Sequence, residues 1–204
     1  MTVQELIDMA TYGEVSNLSV KDNNNALVSY INLGLIELYK RFPLDSKEIV
    51  IALSTGVDIY DMPDDTMWLV AAYGEVDAKS DELVNVLPIN EEDNPLSVNA
   101  VNWNQVQIPN SLDGSYVSII YVASPVLVNV ENLSSSLPIP AQLIESLLHY
   151  VGYRAHGAMN GELQSESTSH YQRFEASCKR IEGNGMFTSD DLSMRKRIID
   201  RGFV

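Results

Sequence analysis

Cysteine occurs once, at Cys178, so the chain has no internal disulfide. A lone thiol on an apolar helical stripe reads as a small core residue and not as a nucleophile. Long apolar runs are missing too. Nothing approaches the roughly 20 residues of a membrane span, and residues 1–15 carry neither a basic n-region nor an apolar h-region. These absences predict a soluble, unexported protein without membrane contact. A glycine-rich phosphate loop is also lacking: Gly183-Asn184-Gly185 follows a helical pattern and leads into no strand–helix unit, the wrong context for a nucleotide. No G-x-S-x-G nucleophile signature is present.

Positive charge is scarce. Lys and Arg total 13 against 28 Asp and Glu, a net charge of −15. Between residues 45 and 140, fifteen acids face only Lys47 and Lys79, a local balance of −13. Such a block repels nucleic acid and argues against sequence-reading DNA binding. The sign reverses from Leu192 to Val204, where Arg195, Lys196, Arg197 and Arg201 stand against Asp200. A hydrophobic fraction of 45% with 20% charged residues is that of a globular chain long enough for one sizeable core or two small lobes, here taken as two lobes in one folding unit.

Periodicity divides the chain into three kinds of segment. Residues 2–12 form a helix with Thr2 as N-cap and Glu5 as the partner in a capping box. A loop over 13–22 leads to a second helix, capped by Asp22 or Asn23, in which Leu27, Ile31, Leu35 and Leu38 recur until Pro43 stops it. From Lys47 the period becomes two. The run 48–65 reads as a strand, a Ser-Thr-Gly turn and a short second strand, a hairpin, and four further strand patterns follow to about residue 128. Residues 132–136 read as a linker. Pro138 and Pro140 introduce a long amphipathic helix with Leu143, Leu147, Val151 and Ala155 on one row, stopped near Gly161. A last helix places Tyr171, Phe174, Cys178 and Ile181 on a stripe and ends at Gly183. The expected fold class is α+β. A helical bundle of residues 1–44 and 138–186, its C-terminal pair a helical hairpin, carries an inserted antiparallel β-sandwich or barrel-like domain of about six strands over 45–137. An extended C-terminal arm of 187–204 follows, too weakly periodic to anchor itself and suited to ordering on a partner.

Candidate chemistry is sparse. Glu145, His149 and His156 share a helix face and His170 sits on the next helix, yet closed metal sites usually bring a denser ligand set, so no metal is assigned. Asp64-Asp65 and Glu91-Glu92-Asp93 lie in Pro-flanked turns and read as solvated loop acid, not as paired catalytic carboxylates. Trp68, Tyr73, Trp103, Tyr116 and Tyr121 fall on strand patterns, where cross-strand packing accounts for them. Tyr150 and Tyr153 flank the main stripe of their helix and reach toward a neighbouring subunit. No catalytic residue and no cofactor follow, and the chain reads as a non-enzyme.

The order of parts carries a resemblance. The N-terminal block ending in LGLIELYKRFP, the strand block beginning KEIVIALSTGVDIYDMP, the segment LPIPAQLIESLLHYVGYRAHGAMNGE, the helix HYQRFEASCKRIE and a free tail together resemble the head-to-tail adaptor (connector) proteins of short-tailed bacteriophages. The resemblance spans nearly the whole chain. It implies a ring of about twelve copies between portal and tail at the head–tail junction of the virion, made in the host cytoplasm, which continues the DNA channel and helps retain the packaged DNA. Implied partners are the portal protein, a tail or nozzle protein, other copies of the chain, and DNA that passes without sequence-specific binding. The implied portal-contacting arm comprises Arg195, Lys196, Arg197, Ile198, Ile199, Arg201, Phe203 and Val204. The implied subunit-contact helix presents Leu143, Leu147, Tyr150, Tyr153 and Arg154. A ligand- or carbohydrate-binding β domain on a helical stalk, built around Trp68 and Trp103, is the alternative, and a cell-wall hydrolase using Glu91 and Glu92 is weaker still.

Overall fold

The computed structural model describes residues 1–75, 85–112, 115–158, 164–185 and 187. The class is α+β, with four α-helices and antiparallel sheets among the described residues. Two compact units form: Met1–Phe42 with Pro125–Phe187, and a second that contains Pro43–Ser124. Apart from Phe187, the arm, with its eight named residues, lies outside the described residues.

The helical unit begins with α1 (Val3–Tyr12), where the capping box is complete: the Glu5 N–H donates to the Thr2 hydroxyl at 3.2 Å and the Thr2 N–H to the Glu5 carboxylate at 2.8 Å. The segment expected to be a linker is a clasp on this helix. Val3 N–H donates to the Ser135 carbonyl at 3.0 Å and Gln4 N–H to Leu133 at 2.9 Å, while Leu137 N–H reaches back to Met1 at 3.1 Å. The first N–H groups of a helix have no partner within it, and two of them find one here. Helix α2 (Asn24–Arg41) is capped by Asn23, whose side chain accepts from the Ala26 N–H at 3.1 Å, and it stops before Pro43 as expected. Leu27, Ile31, Leu35 and Leu38 are all buried.

Pro140 precedes a short 3₁₀ turn, Ala141–Leu143, which runs into α3 (Ile144–Gly157). Helix α4 spans Gln164–Gly183. Contacts pair Ser146 with Ser177, Tyr150 with Phe174, Tyr153 with Tyr171 and His156 with His170, so α4 runs antiparallel to α3. Helices α1, α2 and α4 all pack on α3. That crowding needs glycine at the contact points: a Cβ on Gly34 would lie 2.5 Å from Leu147 Cδ1 and 3.1 Å from Tyr150 Cδ1. Cys178 is fully buried, and desolvation pushes its thiol above the usual range, in keeping with a core residue.

In the second unit, β1 (Ser46–Ala52), β7 (Tyr116–Ala123), β3 (Thr66–Glu75) and β4 (Asn85–Leu87) form one antiparallel sheet in the order β1-β7-β3-β4. A second sheet has the order β2-β6-β5, from β2 (Ile59–Asp61), β6 (Gln105–Gln107) and β5 (Asn99–Asn102). Neither closes into a barrel. Residues of both sheets, among them Ile51, Ala72, Val106, Val117 and Ile119, share one apolar cluster with Met62, which follows β2. Strand β7 lies between β1 and β3 and is buried on both faces, which is why its sequence is a nearly continuous apolar run.

The hairpin expected over 48–65 is not formed: β1 pairs with β7 and β2 with β6, in different sheets. The turn at Gly56, with φ of 78°, redirects the chain, and the Tyr60 hydroxyl holds that loop by accepting from the Ser54 N–H and donating to the Val57 carbonyl, both at 2.9 Å. The segment 101–110, expected as one strand, instead holds the end of β5, a turn at Trp103-Asn104 and β6, giving seven strands among the described residues. Lys47 on β1 donates to the Asp65 carboxylate at 2.5 Å, and the Tyr121 hydroxyl adds a longer contact of 3.3 Å to the same group. The hydrogen bond from Lys47 holds the Asp65 carboxyl below the usual carboxylate range.

Two predictions follow from this packing. Gly34→Ala forces apart α2 and α3 and is expected to cost about 1–3 kcal/mol, read as a lowered urea midpoint with the slope unchanged. Because Asp65 has a depressed value in the folded state, its pairing stabilises the fold at neutral pH and is lost on acidification. The difference in urea midpoint between wild type and Asp65→Asn should therefore shrink as pH falls below roughly 4.

Candidate assembly surface

Tyrosine and arginine gather where α2, α3 and α4 meet. Tyr150 and Tyr153 on α3 and Tyr171 and Phe174 on α4 form a closed set of ring contacts: Tyr150–Phe174 at 5.2 Å and 68°, Tyr150–Tyr153 at 5.6 Å and 70°, Tyr153–Tyr171 at 5.1 Å, and Tyr171–Phe174 at 6.0 Å. The near-perpendicular pairs place ring edges on ring faces, the arrangement aromatic quadrupoles favour. These rings line a groove of about 420 Å³ whose other wall is Glu37, Lys40 and Arg41 of α2 and Glu175 of α4. Burial raises the Tyr150 hydroxyl above its usual range, and Glu175 raises that of Tyr171, so both stay neutral and able to donate at physiological pH.

Arg41 closes one end of the groove. Its Nε donates to the Glu182 carboxylate at 2.5 Å and its Nη1 to Glu175 at 3.1 Å, tying the last turn of α2 to α4. Its pKa is held above the usual arginine value, chiefly by the Glu182 hydrogen bond. Arg154 stands 6.0 Å from the Tyr153 ring centre, a cation–π approach. Tyr171 is 42% exposed, and Arg154 is exposed.

The five residues expected on the contact helix therefore divide. Leu143 and Leu147 are fully buried and Tyr150 nearly so, all within the helical unit; Tyr153 and Arg154 reach the surface. The apolar row read from periodicity is the row that faces the core, and the residues flanking it are the ones that reach the surface. A second surface was not foreseen: Leu33 on α2 with Val126 and Leu127 is exposed, Val126 to 80%. Nearby, Asn32 fixes the strap by donating to the Val128 carbonyl at 3.0 Å and accepting its N–H at 2.8 Å.

On the β unit, Trp103 is 68% exposed at the tip of the β5–β6 turn beside exposed Val101, against the expectation that cross-strand packing buries it. A two-residue turn gives its side chain no facing strand. Trp68 stays on β3, in the other sheet. Glu91, Glu92 and Asp93 are exposed loop acid, with Glu91 accepting from the Asn94 amide at 3.2 Å.

The histidines converge on a residue that sequence reasoning passed over. Glu14, in the turn after α1, sends Oε1 to within 3.4 Å of His149 Nδ1 and Oε2 to within 3.0 Å of His170 Nδ1. His156 stacks on His170 at 4.8 Å and 21°, and its Nε2 donates to the Glu14 carbonyl at 3.0 Å. Glu145 stands 3.9 Å from His149 Nε2.

The family model described as SU10 adaptor protein matches residues 1–197, and the chain belongs to that family. Its role is that of a bacteriophage head–tail adaptor, a structural part of the virion at the junction of head and tail. No curated protein matches the chain. Among solved structures, a chain of one described as "Neck of empty GTA particle computed with C6 symmetry" is similar, at 13% identity over 79% of this chain and 80% of that one, with a TM-score of 0.31.

Removing the Arg41 clamp should loosen α4 selectively. Arg41→Ala is expected to cost about 1 kcal/mol, since the pairs are partly exposed, and to raise amide exchange over 175–183 more than over α3 in a hydrogen-exchange experiment.

Proposed function

We propose that the chain assembles as a ring of about twelve copies between the portal and the tail, continues the DNA channel, and helps hold the packaged genome. The observation that carries this reading is the family match over residues 1–197. The surfaces fit it. Tyrosine and arginine are the residue types that dominate protein interfaces, and here Tyr153, Tyr171 and Arg41 line a preformed groove with exposed Arg154 beside Tyr153. Leu143, Leu147 and Tyr150 hold that helix in place from inside. The Leu33, Val126 and Leu127 patch offers a different surface, and two unlike patches on identical copies make the heterologous contact that closes a ring.

The arm from Leu192 to Val204 contacts the portal in this reading. Arg195, Lys196, Arg197 and Arg201 supply charge, and Ile198, Ile199, Phe203 and Val204 supply apolar anchors. Ordering such a segment only on its partner delays assembly until the partner is present. The acid of residues 45–140 suits a passage for a polyanion, since attraction would stall sliding DNA.

Exposed Trp103 favours a second reading for the β unit, in which the β5–β6 tip binds a carbohydrate or a tail component. Native mass spectrometry of the full chain, alone and with its portal, separates the two. A ring on the portal that is lost when residues 192–204 are deleted, with circular dichroism unchanged, is the expected result. A chain that remains monomeric with portal present, while binding glycan through Trp103, overturns it.

A further inference from the structure

We propose that Glu14, His149 and His170 form a divalent transition-metal site of the zinc class, stapling the turn after α1 to the α3–α4 pair. The donor atoms of these three residues lie within 4.8 Å of one another. Ligands placed 2.0–2.1 Å from a tetrahedral ion stand about 3.3–3.4 Å apart, and the two carboxylate–imidazole contacts measure 3.4 and 3.0 Å. Two of the three pairs thus already stand near ligand spacing, and an ion draws the widest pair in from as much as 4.8 Å, a movement of about an ångström that a turn of the side chains about their rotamers supplies.

These contacts are not hydrogen bonds already in use. The Nδ1 atoms of His149 and His170 are buried and lack an aligned partner, although a carboxylate oxygen stands close to each. A buried polar atom left unpaired costs about 1–3 kcal/mol, and an ion bound to both nitrogens and to the carboxylate removes that cost twice. His170 is only 8% exposed, so its nitrogen is shielded from water that would otherwise serve as its partner.

The surroundings hold the donors in place. A Cβ on Gly152 would lie 2.8 Å from His170 Nδ1, so glycine there leaves the space in which this nitrogen sits. His156 fixes both sides of the cluster, stacking on the His170 ring and donating to the Glu14 carbonyl. Glu145 stands behind His149 Nε2, on the side from which an outer carboxylate orients a metal-bound imidazole. Two imidazoles with one carboxylate suit zinc, cobalt or nickel; calcium and magnesium prefer shells of oxygen. The fourth position falls to the second Glu14 oxygen or to a water.

The test uses the full chain, stripped with chelator and dialysed. Zinc is titrated in competition with a chromophoric chelator, cobalt is titrated while its visible absorption is followed, and histidine nitrogens are observed by NMR. Expected are one equivalent per chain, a tetrahedral cobalt spectrum, metal-dependent shifts at Nδ1 of His149 and His170, and a melting temperature that climbs with free zinc. Glu14→Gln and His149→Ala should each weaken binding by more than the roughly tenfold to hundredfold typical of an outer partner. A folded chain that takes up no stoichiometric zinc at micromolar concentration overturns the proposal, as does uptake that both variants leave unchanged. Should a variant fail to fold, the wild-type nitrogen shifts decide alone, because binding elsewhere leaves both Nδ1 resonances in place.

Discussion

The helical unit depends on close approach to α3. Three helices pack on this one, which leaves little room for side chains between their axes. Two glycines make the room: Gly34 on α2 admits Leu147 and Tyr150, and Gly152 on α3 itself admits the His170 ring. Interiors are close-packed, so the apolar row of α3 is consumed in filling this space. What reaches the surface is the flank, Tyr153 and Arg154.

The same economy governs the β unit. β7 is covered on both faces and bonded along both edges, leaving it nothing to offer a partner. The outward-facing chemistry sits on the short strands and turns: Trp103, Val101, and the exposed acids near residue 92. Rigid centre and chemically distinct rim are a fitting division for a component whose role is carried by its surfaces.

Much of the helical part was legible because local rules decide it. The Thr2–Glu5 box, the Asn23 cap, the stop before Pro43 and the buried row of α2 are each set within a few residues, and each is observed. The sheet pairing was not legible, since a period of two says which residues share a face but not which strand lies alongside. Hence β1 and β2, adjacent in sequence, lie in separate sheets. On α3 periodicity found the apolar row, and that row is buried; the contact residues were implied by the resemblance, and of these Leu143, Leu147 and Tyr150 lie in the core of the helical unit. Glu14 was invisible as a partner of the histidines because it lies 135 and 156 residues from His149 and His170, a distance that only the fold closes.

The clasp between residues 133–137 and the start of α1 has a consequence for synthesis. Both partners belong to one unit, yet more than a hundred residues of chain separate them, and that chain contains a unit with its own core. On the ribosome the first two helices emerge early and must wait, apolar faces uncovered, until α3 and α4 follow. The seven described strands all lie before residue 124 and are able to pair meanwhile, which shortens the loop that has to be closed. An unfinished chain therefore has no completed helical face to offer a partner, and the order of translation decides when that face is made.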